Sequence, residues 1–137
     1  MKLPEQMKAL VARGPGEYAL ETVPVPKPGF GEILVKVEAC GICAGDVKAT
    51  HKAARFWGGD GMPGYCEPSF IPGHEFIGEI VEMGEGVEGD FMPGDRVVSE
   101  QIVPCGRCRY CKAGKYWLCA PHDVYGFKNS LPGGMAE

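Results

Sequence analysis

The sequence predicts a mostly β fold, an antiparallel β-barrel or sandwich with two irregular lobes. Its 137 residues are enough for one domain with a core of its own. Short runs alternate between apolar and polar residues, as half-buried strands do, while helical periodicity is scarce. Twenty-one glycines and twelve prolines are spread between these runs and mark tight turns. Together, these observations favour many short strands over a helical domain.

Five runs are predicted to form strands. Residues 7–13 and 18–23 flank a turn at Gly14-Pro15-Gly16, and a proline-rich connector follows at 23–29. Within residues 31–39, Ile33, Val35 and Val37 share one face, as in a half-buried strand. The remaining two strands are predicted at 76–83 and 95–99.

Two segments between these strands are not predicted to be strands. Residues 43–52 predict a short helix with Asp46 in its first turns. Residues 53–73 are rich in glycine and proline and predict a long loop. Its aromatic side chains either line a substrate cleft or fill the interior of their own loop, and both interpretations stay open. These side chains are Phe56, Trp57, Tyr65 and Phe70.

Composition excludes several classes of protein. A net charge of −4 argues against a nucleic-acid partner, which would require a basic surface. No apolar run approaches the roughly 20 residues of a membrane span, and the first ten residues lack the apolar core of a secretory signal. We therefore expect a cytoplasmic protein without a membrane partner. Seven cysteines in that compartment cannot pair completely, which favours metal ligation.

Four of those cysteines fall within fifteen residues of a lobe predicted at about residues 100–122. The gaps between Cys105, Cys108, Cys111 and Cys119 are two, two and seven residues. Such spacing lets four thiolates surround one ion, as in a closed structural zinc site. Four basic residues among them would offset the negative charge of the site: Arg107, Arg109, Lys112 and Lys115.

Two other uses of these cysteines are considered. The bacterial iron–sulfur spacing closes with a three-residue gap, whereas the last gap here is seven residues, so the pattern fits a cluster poorly. Four unligated thiols would leave a glycine-rich segment with little apolar mass to fold around. Zinc is therefore the favoured interpretation.

A second constellation contains a cysteine, a histidine and carboxylates. The segment 41–46 contains Cys43 and Asp46, and the segment 73–75 contains His74 and Glu75. A single histidine is more often structural than a ligand. Cysteine, histidine and carboxylate together, however, suit a catalytic zinc with one open position.

These motifs occur in a fixed order: Gly41-Ile-Cys-x-x-Asp46, Gly73-His-Glu-x-x-Gly78, Pro93-Gly-Asp-Arg-Val97, the four-cysteine lobe and Gly133-Gly-Met-Ala-Glu137. In this order they resemble the zinc-dependent medium-chain alcohol and polyol dehydrogenases over essentially the whole chain. The resemblance implies that residues 1–137 form the N-terminal GroES-like domain of that family, a partly open β-barrel with a zinc lobe. The site with Glu75 and the glycine-rich loop favour the sorbitol or threitol dehydrogenase type.

The resemblance also assigns roles to individual residues. Cys43 and His74 would bind the catalytic zinc, and Glu75 would be a further ligand or exchange with water. Asp46 would accept a hydrogen bond from the other imidazole nitrogen of His74. The zinc would act as a Lewis acid on the hydroxyl of an alcohol or polyol substrate.

The same resemblance places two components after residue 137, namely a last zinc ligand and a Rossmann domain that holds NAD or NADP. The chain is therefore expected to be truncated and inactive by itself. The full-length enzyme is expected to be a homo-oligomer, a dimer or a tetramer. A function of another class stays open: a stand-alone zinc-stabilised β module that binds proteins.

One position departs from the family pattern. The family commonly has serine or threonine two residues after this cysteine, where it begins a proton relay, whereas this chain has Gly45. Thr50, His51 or a water held by Glu75 could replace the missing hydroxyl.

Other motifs are interpreted as structural. The glycine patterns at 14–19, 59–64 and 84–89 do not open predicted helices, so we expect turns and no dinucleotide site. Cys40 and Cys43 have the spacing of a redox pair but lack the surrounding βαβ unit. Cys40 is expected to be a core thiol and Cys66 a spare thiol in the long loop.

Overall fold

The computed structural model describes residues 3–137, so the first two residues of the predicted domain lie outside it. The strands in chain order are β1 Gln6–Gly14, β2 Glu17–Pro24, β3 Ile33–Gly41, β4 Glu75–Met83, β5 Arg96–Val98, β6 Ile102–Val103 and β7 Asp123–Val124. Helical segments are short: α1 Ala44–Thr50, α2 Ala54–Trp57, α3 Arg109–Lys112 and a 3₁₀ turn at Tyr116–Leu118. The mostly β prediction is confirmed, and each of the five predicted strands is present with slightly shifted ends.

The strands form three small antiparallel sheets. β1 pairs with β2, β3–β4–β5 form a three-stranded sheet, and β6 pairs with β7. Isolated bridges extend the first hairpin, joining Ala9 to Ala136 and Ala12 to Phe70. Within residues 3–137 no strand pairing joins the three sheets to one another, so the architecture is open rather than a closed barrel.

The register of β3 against β4 positions the functional residues. Gly41, the last residue of β3, faces Glu75, the first residue of β4. Cys43 therefore follows the end of one strand at the level where His74 precedes the start of the next. Lys36 approaches β4 so closely that a Cβ on Gly78 would lie 2.2 Å from its carbonyl oxygen, which makes glycine necessary there.

The core lies where the first hairpin, α1 and the long loop meet. Its buried cluster consists of Ala12, Ala49, Cys66, Phe70 and Phe127. The long loop contains α2, which the sequence reading did not foresee. Its aromatic side chains pack on the core, and Trp57 Nε1 donates to the carbonyl of Ala49 at 2.6 Å. These rings thus fill the interior of their own loop.

The cysteine lobe is closed at its base by the β6–β7 pair, in which Ile102 faces Val124. Each of these strands has two residues, too few to give a periodic signal in the sequence. No helix of the described chain has the length and apolarity needed to cross a membrane.

Candidate metal centres

The structure brings the four cysteines of the lobe together. The sulfur atoms of Cys105, Cys108, Cys111 and Cys119 all lie within 4.8 Å of one another. Cys119 is buried and the other three are half-buried. Cys108 precedes α3 as its N-cap residue, and this turn carries Cys111 to within 3.5 Å, Sγ to Sγ.

Backbone amides point at these sulfur atoms. The N–H of Cys105 donates to Cys119 Sγ at 3.3 Å, and the N–H of Cys111 donates to Cys108 Sγ at 3.5 Å. Backbone N–H groups from Cys111 and Ala120 lower the pKa of Cys108 to about 6. Burial and the neighbouring thiol of Cys108 raise the pKa of Cys111. Backbone amide donors at the sulfur atoms stabilise thiolates, so this donor set fits a closed tetrathiolate zinc site.

A second set of ligand atoms converges where β3 ends and α1 begins. Donor atoms of Cys43, Asp46 and His74 lie within 4.8 Å of one another. Cys43 is half-buried, while Asp46 and His74 are buried. The sequence analysis named all three residues, Cys43 and His74 as ligands and Asp46 as the partner of His74.

A capping box at the start of α1 fixes two of these side chains. Cys43 is the N-cap residue, and its Sγ accepts the N–H of Gly45 at 3.1 Å. In return, Oδ2 of Asp46 accepts the N–H of Cys43 at 2.9 Å. Such reciprocal bonds satisfy amides that the helix leaves free at its first turn. The helix start thus aims the thiol and the carboxylate in fixed directions.

The other oxygen of Asp46 faces the imidazole. Asp46 Oδ1 and His74 Nδ1 are 3.6 Å apart, slightly longer than a hydrogen bond. Both atoms are buried without a hydrogen-bond partner, although leaving such atoms unpaired costs about 1–3 kcal/mol each. A cation bound through Nε2 would favour the proton on Nδ1, facing the carboxylate, so these residues fit a metal site.

Ser99 holds the backbone on either side of the junction between His74 and β4. Its Oγ donates to the carbonyl of His74 at 3.0 Å and accepts the N–H of Phe76 at 3.2 Å. No motif in the sequence marked Ser99. It also lines an open cleft of about 540 Å³ beside His74, together with Glu75, Glu100 and Gln101.

Glu75 lies outside the converging set. Its side chain is exposed, and its Oε2 would be 3.1 Å from a Cβ on Gly41. His74, in the bend before β4, is buried, whereas Glu75 at the first position of β4 is exposed. The ligand role expected for Glu75 stays a prediction.

The structure also locates position 45, where the relay hydroxyl is missing, and two residues that could replace that hydroxyl. A Cβ on Gly45 would lie 3.3 Å from Cys43 Sγ and 3.8 Å from His74 Cε1, so position 45 borders both ligands. Thr50 Oγ1 donates to the carbonyl of Val47 at 2.7 Å, one turn back along α1. His51 is exposed at the C-cap of α1, the end opposite Cys43.

Comparison with known proteins identifies the family. The alcohol dehydrogenase GroES-like domain family matches residues 29–137. The chain belongs to this family. The predicted GroES-like fold is thereby confirmed, together with the kinship to zinc-dependent medium-chain dehydrogenases.

Relatives of this GroES-like domain include enzymes and solved structures. It is 52% identical over 138 residues to the erythritol/L-threitol dehydrogenase of Mycolicibacterium smegmatis, covering 99% of this chain and 38% of the relative. The cobalt- and zinc-bound thermostable alcohol dehydrogenase of Pyrobaculum aerophilum superposes with a TM-score of 0.78 at 32% identity, covering 96% of this chain and 38% of that one. The acetophenone reductase of Geotrichum candidum in complex with NAD superposes with a TM-score of 0.78 at 32% identity, and the match covers 99% of this chain and 38% of that one. The chain thus spans less than half the length of each of these relatives.

Proposed function

We propose that this GroES-like domain supplies the metal-binding half of an NAD(P)-linked dehydrogenase that oxidises an alcohol or polyol to the ketone or aldehyde. Cys43 and His74 would hold a catalytic zinc, and the four lobe cysteines a structural one. The convergence of the half-buried Cys43 with the buried Asp46 and His74 at the β3–α1 junction carries the proposal. A polyol substrate is supported by the 52% identity to the erythritol/L-threitol dehydrogenase.

A zinc ion at this position would act as a Lewis acid towards a substrate oxygen. The chain's own residues have distinct tasks around it. Cys43 provides a thiolate and His74 provides Nε2, while Asp46 keeps the imidazole proton on Nδ1. Because the capping box ties Asp46 to the backbone of Cys43, the carboxylate is held in a fixed position from which it orients the imidazole of His74.

The nicotinamide cofactor would be held outside these 137 residues. The three glycine patterns all lie in turns or strands, the first between β1 and β2, the second after α2 and the third after β4. In the part of the chain that the structure describes, none of them opens a helix, as a dinucleotide fingerprint must. Hydride transfer requires the donor carbon and the nicotinamide to be within about 3–3.5 Å, so residues 1–137 alone should be inactive.

The cysteine ligands also bear on the cellular location that we propose for the enzyme. Four of the seven cysteines converge as one ligand set in the lobe, and ligation of this kind supports a reducing, cytoplasmic location. We further propose that the complete enzyme is a homo-oligomer, which analytical ultracentrifugation would measure.

An assay of the complete gene product tests the proposal. Erythritol, threitol and sorbitol would be offered with NAD or NADP, and the reduced cofactor followed by absorbance. We expect turnover of at least one polyol, and loss of that activity in Cys43→Ala. Cys40→Ala is the matched control, because Cys40 is a nearby thiol outside the converging set, and it should stay active. A gene product that turns over no alcohol or polyol would favour the protein-binding module instead. A fully active Cys43→Ala variant would contradict the assignment of Cys43 as a ligand of the catalytic metal.

A further inference from the structure

Phe127 lies against the face of the His74 imidazole. The two ring centroids are 5.3 Å apart with an interplanar angle of 34°. Phe127 is 5% exposed and His74 is also 5% exposed, so water reaches neither ring freely. The contact joins a residue after β7 to one just before β4, across fifty-three positions of sequence. No sequence motif includes Phe127.

The edge of the same phenyl ring reaches the start of α1. A Cβ on Gly45 would lie 3.7 Å from Phe127 Cζ and 3.8 Å from His74 Cε1. The imidazole is therefore confined on several sides. Asp46 faces Nδ1, the Oγ of Ser99 donates to the carbonyl of His74, and Phe127 covers the ring.

Phe127 is itself held firmly. Its ring packs 5.3 Å from Phe56 and 6.0 Å from Phe70, centroid to centroid, and its carbonyl accepts the N–H of Glu67 at 3.0 Å. The preceding Gly126 has a φ of +80°, and a Cβ there would lie 2.8 Å from the backbone of Gly73. Glycine thus permits the Phe127 backbone to lie directly against the segment that carries His74.

We propose that Phe127 is a positioning residue for His74, one that fixes the plane of the imidazole so that Nδ1 faces Asp46 and the ring stays beside Cys43. The proposal rests on the metal site under Proposed function. The χ2 torsion of histidine has broad wells, so an unpacked imidazole would rotate away from the ligand direction. Packing by Phe127 removes that freedom before metal binds.

Cobalt binding tests this role without an activity assay. One equivalent of zinc is added first to fill the four-cysteine site, and cobalt is then titrated while its visible absorption is recorded. Cys43→Ser provides the blank for the second site. Phe127→Leu removes the ring from His74, and Phe70→Leu is the matched control, because Phe70 is also buried in the same cluster.

We expect Phe127→Leu to bind cobalt about tenfold more weakly, with an altered visible spectrum, as for other residues that orient metal ligands. Phe70→Leu should lose comparable thermal stability but bind cobalt as the wild type does. If Phe127→Leu does not fold, Phe127→Met keeps the bulk without the flat ring and is judged by the same criterion.

Two contrary results are distinguishable. If wild-type protein binds cobalt no better than Cys43→Ser, the metal site itself is overturned. The other result is that the wild type binds cobalt and that Phe127→Leu and Phe70→Leu either both keep the wild-type affinity or both lose the same amount of it. Phe127 then has no positioning role, and the metal site stands.

Discussion

The carboxylate of Asp46 connects the two proposed ligands of the catalytic metal. Its Oδ1 lies 3.6 Å from Nδ1 of His74, and its Oδ2 accepts the backbone N–H of Cys43 at 2.9 Å. One buried side chain therefore fixes both the start of α1 and the direction of the imidazole. The two tasks can be separated by mutation.

Asp46→Asn should retain most of the helix cap, because the amide oxygen can still accept the N–H of Cys43. It removes the negative charge opposite the imidazole, so metal affinity at the second site should fall about 10–100-fold. Asp46→Ala should lose the same affinity and a further ~1 kcal/mol of stability with the cap. Metal competition titrations and thermal unfolding of the metal-free proteins separate these effects. Equal stability of Asn and Ala variants would contradict the capping role.

The two metal centres should contribute differently to folding. Cys108→Ser opens the four-cysteine site, whose zinc contributes on the order of 10 kcal/mol, and should unfold the lobe. His74→Ala removes a buried side chain from a local cluster and should cost about 1–3 kcal/mol while the fold is kept. Circular dichroism and thermal midpoints check this division, and equal losses in the two variants would refute it.

Position 45 should accept a small side chain and reject a branched one. Of the contacts a Cβ would make there, only that with Cys43 Sγ, at 3.3 Å, is tight, and the φ angle lies outside the left-handed region. Gly45→Ser should stay within about 1 kcal/mol of wild type and keep its cobalt spectrum. Gly45→Val places methyl groups among the thiol, the imidazole and Phe127, so cobalt affinity should drop. A wild-type spectrum and affinity in Gly45→Val would show that this flank of the site is more open than the distances indicate.

Stability should fall at alkaline pH because of Cys66. Burial raises the pKa of this thiol from 9.0 to about 12. Above pH 9 the unfolded chain loses the proton while the folded chain retains it, so the folded state loses up to about 1.4 kcal/mol per pH unit until about pH 12. Burial likewise raises the pKa of Tyr18 from 10.0 to about 12, which adds a second loss above pH 10.

Cys66→Ala isolates the first contribution. Denaturation midpoints at neutral pH give the cost of the small cavity, and the difference from wild type should shrink as the pH rises past about 9. A constant difference across this range would mean that Cys66 ionises equally in both states.

The sequence predicted the strands because their alternation and the glycine-proline turns are local signals. It missed α2, since Ala54–Trp57 is a single turn inside a glycine-rich stretch. It missed β6 and β7 because a two-residue strand has no period. The order of the cysteine, histidine and acidic motifs indicated both metal centres before any geometry was known.

What the sequence could not supply is long-range packing. Ser99 and Phe127 reach His74 from 25 and fifty-three positions away, through a sheet register and a glycine contact that no local pattern encodes. Glu75 shows the converse: its motif placed it beside His74 in sequence, yet its exposed side chain lies outside the set of converging ligand atoms.

Metal content is the most direct test of the central claim that the domain has one structural and one catalytic zinc centre. Elemental analysis of residues 1–137, purified without added metal, should give about one tightly held zinc per chain plus partial occupancy of a second site. Cys108→Ser should lose the tight zinc, and Cys43→Ala should lose only the partial one. Iron in place of zinc, a brown protein, or a metal content unchanged by both substitutions would contradict the account.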